Sequence, residues 1–130
     1  MTNGGNLIIP GCSEARGGLF DAALSSSWHP LGNFTLGLEL NLGYNDSASY
    51  GLDTVALGFS DSFGGPAIKS QVVAALATHD RYLGVFGLGH QGTNISNFSD
   101  PHPSFLSGMK DGSLIPSLSW GYTAGAKYRQ

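Results

Sequence analysis

Hydrophobic and polar residues alternate without a break from Phe34 to Gly43. Phe34, Leu36, Leu38, Leu40 and Leu42 share one parity; Thr35, Gly37, Glu39, Asn41 and Gly43 share the other. Successive side chains of a β-strand point to opposite faces, so this pattern predicts a half-buried strand over 34–43. A polar turn, Asn45-Asp46-Ser47, follows, and a second strand is predicted from Tyr50 to about Phe59. Two strands joined by a short polar turn make a hairpin. The parity of the second strand shifts partway. Tyr50 and Leu52 fall on one face, Val55, Leu57 and Phe59 on the other. One extra residue near Asp53, a β-bulge, accounts for the shift.

The rest of the chain carries weaker patterns. Asp21 to Ser27 is an acid-and-serine turn closed by Trp28, which is expected to anchor core. Residues 60–66 (SDSFGGP) form a loop by composition. Residues 69–78 divide between alanines that favour helix and Val72–Val73, which favour strand. Tyr82 to Leu88 is a short apolar run containing Gly84 and Gly87, which suits a buried strand approached closely by another backbone. His90 to Pro103 is polar, with two prolines, and predicts a surface loop. Behind Pro103 and Ser104, Phe105, Leu106 and Met109 recur at i, i+1 and i+4, predicting a short helix near 104–110. Leu118, Trp120 and Tyr122 then alternate with Ser119, Gly121 and Thr123, predicting a last strand.

Composition narrows the class. The chain has 130 residues, enough for one domain with a real core. Its twenty glycines are about twice the usual share, and charged residues make up 12% against a usual value of about 25%. That balance suits a turn-rich all-β protein rather than a disordered chain. A net charge of −3, with six Lys and Arg, argues against a nucleic-acid partner. No apolar run approaches the roughly 18 residues of a membrane span. Asn33, Asn45, Asn94 and Asn97 each open an N-x-S/T sequon, a candidate glycosylation site and modest support for secretion. The opening MTNGGNLIIPG has neither the basic start nor the apolar length of a signal peptide, and the lone Cys12 excludes an intrachain disulfide. A piece of a secreted protein reconciles these features; a cytosolic protein with accidental sequons is the competing explanation.

Several familiar chemistries fail on inspection. Gly87-Leu88-Gly89-His90-Gln91-Gly92 spells G-x-G-x-x-G, but the following TNISNFSDPHP cannot supply the helix whose N-terminus would meet a pyrophosphate. His29, His79, His90 and His102 lack metal-ligand spacing, and one cysteine cannot complete a zinc set. There is no G-x-S-x-G elbow. His79-Asp80 reads as a solvated polar turn rather than a catalytic couple. No cofactor or metal is therefore expected.

Taken in order, RGGLF at 16–20, SSSW at 25–28, YGLDTVALG at 50–58, YLGVFGL at 82–88, NFSDPHPSF at 97–105 and SLIPSLSWGYTAG at 113–125 resemble the N-terminal lobe of pepsin-type aspartic endopeptidases, most closely the secreted fungal branch. The resemblance covers nearly the whole chain. It implies an all-β fold, a partial pepsin-like lobe over 1–130 with a flap-like hairpin and one short helix. It also tips Gln71–Ala74 towards strand. The family hydrolyses peptides with two carboxylates that share one proton, each on an Asp-Thr/Ser-Gly turn. Asp46-Ser47, Asp53-Thr54 and Asp61-Ser62 are this chain's Asp-Ser/Thr pairs, and glycine follows none of them. By the resemblance Asp53 is structural. The first catalytic turn is expected upstream of Leu7 and the partner lobe beyond Gln130, so the chain alone carries no catalytic residue. What it keeps, by the same resemblance, is part of a substrate cleft for a peptide or protein. Tyr44 stands near the flap tip, and Tyr82 and Val85 correspond to the pocket for the residue before the scissile bond; both of the latter read equally well as ordinary core. A fragment of a secreted protease, a non-catalytic peptide-binding module and a homodimer remain as alternatives. The missing turn counts heavily against an active homodimer.

Overall fold

A computed structural model describes residues 19–36, 40–43, 46–58, 65–77, 84–95 and 101–122. Three strands, β1 (His29–Leu36), β2 (Asp46–Ala56) and β3 (Ala67–Ala75), form an antiparallel sheet in the order β1-β2-β3. One short helix, α1 (Phe105–Asp111), follows. The regular structure among the described residues is thus mostly β. The chain divides into two compact units, one of residues 1–52 and 73–86, the other of residues 53–72 and 87–130.

In the first unit, β1 and β2 make the hairpin. Its register runs from His29 opposite Leu52 to Leu36 opposite Asp46. Phe34 and Leu36 are more buried than Asn33 and Thr35, as their parity predicts. The strand nevertheless ends at Leu36, and Leu40–Leu42 form a single 3-10 turn with Leu42 exposed. The alternation from Phe34 to Gly43 therefore overstates the strand. Alternation specifies which side a residue faces, not whether a partner exists, and the described pairing on β2 starts at Asp46. For the same reason Asp46 and Ser47, polar enough to read as a turn, lie inside β2 opposite Leu36 and Thr35.

The parity shift in β2 is present. Ala48 and Tyr50 are buried at even positions, Gly51 and Asp53 at odd ones. The extra residue in the β1–β2 ladder is on β1, opposite Tyr50 and Gly51, and not on β2 near Asp53. Pro30 pairs with Gly51 and Gly32 with Tyr50, which leaves Leu31 as the bulged residue on β1. Gly32 has φ +141°, a conformation that disfavours a side chain, and a Cβ there would lie 3.2 Å from the Phe34 ring. Phe34 covers this glycine and meets Tyr50 edge-on, with ring centroids 5.8 Å apart. An aromatic ring filling the space beside a strand glycine recovers packing that the glycine gives up.

Trp28 anchors the entry to β1. The preceding turn is a 3-10 turn, Ala22–Leu24, capped by Asp21, whose Oδ1 accepts the Ala23 N–H at 2.9 Å. The indole packs against the Cα of Gly51 and tilts against Phe20 at a centroid distance of 5.6 Å.

In the second unit, Leu57 N–H donates to the Pro66 carbonyl at 3.0 Å, which closes the connection between β2 and β3. β3 confirms the strand reading for Gln71–Ala74. Ser70 interrupts it with φ +56°, a left-handed residue inside a strand. Helix α1 forms where its spacing predicts and buries Phe105, Leu106 and Met109. Ser104 is its N-cap: Oγ accepts the Ser107 N–H at 3.2 Å and lies 3.0 Å from Ser107 Oγ. Gly108 faces β3; a Cβ on it would come within 3.1 Å of Ile68 Cγ2. Close approach to Ile68 gives this helical glycine a packing role, against a propensity cost of about 1 kcal/mol relative to alanine.

The helix ends in a Schellman motif. Leu114 N–H donates to Met109 O at 2.8 Å and Ser113 N–H to Lys110 O at 2.9 Å. The left-handed position is Ser113 (φ 56°), while Gly112 beside it sits at φ −76°. A left-handed L-residue costs roughly 1–2 kcal/mol, and glycine's extra unfolded-state freedom returns about 0.5–1 kcal/mol of that. Ser113→Gly is therefore expected to raise stability by about 0.5–1 kcal/mol, read as a higher urea midpoint. An unchanged or lower midpoint would mean that Ser113 does not hold this conformation in solution.

Two predicted strands are absent among the described residues. Gly84 to Leu88 has no regular structure, and Val85, Phe86 and Leu88 are exposed. Residues 114–122 form bends and irregular chain, with Leu118, Trp120 and Tyr122 exposed. Both stretches have the side-chain pattern of a strand, and neither pairs with one among the described residues. The glycines at 84, 87 and 89 further weaken the first. The loop predicted from His90 to Pro103 is present in its described parts and is clipped at its neck. Thr93 and His102 exchange two backbone hydrogen bonds, at 2.8 and 3.0 Å.

Candidate functional site

Of the three sequence-derived cleft residues, Val85 is the one among the described residues. Val85 lies on the irregular stretch after Gly84 and is 70% exposed, so it is not a core residue. Tyr44 and Tyr82 lie outside the described residues, as do Asn45, Asn97 and Cys12. Asn33, on β1, and Asn94, beside the Thr93–His102 clip, are both exposed.

Of the three aspartates in Asp-Ser/Thr pairs, Asp46 and Asp53 are described. Asp46 begins β2, and Asp53 sits further along the same strand. Asp53 is buried, and its Oδ1 accepts the Thr54 N–H at 2.7 Å. A buried carboxylate holding the neighbouring backbone is in keeping with a structural role. No group of three or more His, Cys, Asp or Glu side chains converges among the described residues.

The groups that do converge surround α1. Ser107 Oγ lies beside Ser104 Oγ and donates to the His90 carbonyl at 3.2 Å. Gln71 Nε2 donates to the Pro103 carbonyl at 3.3 Å. These bonds fix the helix entrance against the loop and β3, which sequence reasoning did not find. The capping pattern Ser104-x-x-Ser107 was its local signal, whereas the His90 and Gln71 contacts are long-range and left none. Beyond the helix, Lys110, Ser113, Leu114, Ile115 and Pro116 line an open depression of about 440 Å³. It offers one ammonium and one hydroxyl, without a carboxylate, imidazole or thiol in its lining.

Among the described residues, Tyr50 is a titratable side chain with a defined perturbation. Burial beside Phe34 raises its pKa above the ordinary 10.0, because desolvation penalises the phenolate. The folded state thus holds the phenol proton more tightly than the unfolded chain does. The resulting stabilisation is fully present below pH about 10 and is lost as pH rises through the folded-state value. Urea midpoints are expected to fall more steeply with pH above about 10 in the wild type than in Tyr50→Phe. Equal slopes would place the Tyr50 hydroxyl in water.

Among the described residues no helix is long and apolar enough to cross a membrane. Set against known proteins, the chain matches no family model, no curated protein and no solved structure.

Proposed function

We propose that the chain is part of the N-terminal lobe of a pepsin-type aspartic endopeptidase and that it does not cleave peptides by itself. The observation that carries this reading is the ordered set of motifs from Arg16 to Gly125, with no Asp-Thr/Ser-Gly turn anywhere along it. Three local elements support it: a hairpin of β1 and β2 where the family has its flap, a strand across Gln71–Ala74, and a helix behind Pro103-Ser104. The stretches 84–88 and 118–122, strands in the family, are irregular here, so the reading rests on motif order and these three elements. Secretion belongs to the same proposal, and the exposed Asn33 and Asn94 favour it.

A second reading, a non-catalytic peptide-binding module, is favoured by one observation: Val85 and Phe86 present adjacent apolar side chains to solvent. One experiment addresses both. The chain is incubated at acid pH with a quenched fluorescent peptide bearing large apolar residues around its central bond, and amide shifts are followed by NMR with the same peptide. No hydrolysis above the buffer blank, with shifts at Tyr44, Tyr82 and Val85, is the expected result. Hydrolysis would overturn the inactive reading. Shifts confined to other residues would overturn the assignment of Tyr44, Tyr82 and Val85 to a substrate cleft.

A further inference from the structure

We draw no further inference here: the strongest candidate, the exposed apolar stripe of Leu118, Trp120 and Tyr122 on the irregular segment that follows the helix, is an unpartnered face, and nothing in the structure shows what covers it.

Discussion

Phe105→Ala is expected to cost about 3–5 kcal/mol and to take the second unit close to unfolding at room temperature. Phe105 is 4% exposed and lies in the first turn of α1 beside Leu106, and its helix-mate Met109 is also buried. Truncation removes the transfer free energy of the ring and leaves a cavity that its neighbours only partly fill. Whole small domains are stable by only about 5–15 kcal/mol, so the loss is a large fraction of the total. Far-UV circular dichroism against urea gives the readout. Lys110→Ala, on the exposed face of the same helix, serves as the control and is expected to change stability by less than about 0.5 kcal/mol. Similar midpoints for both variants would show that the helix does not bury the face carrying Phe105.

Gly51→Ala is expected to be destabilising, although alanine is the better residue in an ordinary strand. Relief of glycine's entropy cost favours the variant by about 0.5–1 kcal/mol. Steric overlap opposes it. The added Cβ would lie 2.6 Å from Cε2 and Cη2 of Trp28, deep inside contact distance of a ring that cannot bend aside without leaving Phe20. Overpacking of this kind costs typically about 1–3 kcal/mol, so the net sign is a loss. Near-UV circular dichroism should lose part of its tryptophan signal, since Trp28 exchanges a fixed contact for a mobile one. Trp28→Leu in the Gly51→Ala background separates this cause from a general loss of strand. If the two residues clash as described, their effects are non-additive and the double variant is less damaged than the sum. Strict additivity would indicate that the indole does not rest on Gly51.

These two positions illustrate how unevenly sequence reasoning performs. Helix α1 could be read directly, because its cap and its apolar spacing are local: Ser104 bonds to Ser107, and Phe105, Leu106 and Met109 share a face within two turns. The sidedness of Phe34 and Leu36 was equally readable. Strand length was not, since it is set by where the partner begins. The contact between Trp28 and Gly51 leaves only a glycine as its trace, indistinguishable in a glycine-rich chain from the glycines that serve turns. The end of α1 misleads in a finer way. Gly112 is the residue a reader would place in the left-handed position, yet Ser113 occupies it. The extended readings of 84–88 and 118–122 failed because alternation is necessary for a paired strand and insufficient to create its neighbour. The candidate site was the least readable part. Tyr44, Tyr82 and Val85 came from likeness to a family, and a cleft is assembled by contacts between residues far apart in sequence.

The bulge at Leu31 has a bearing on solubility. Among the described residues β1 stands at the edge of the sheet, and edges with free backbone groups recruit strands from neighbouring molecules. Pro30 has no N–H to offer, and Leu31 puts the next residues out of step with any straight incoming chain. An edge interrupted at two successive residues is a poor template for stacking. Replacing Pro30 and deleting Leu31 would straighten the strand and open a route to fibrils.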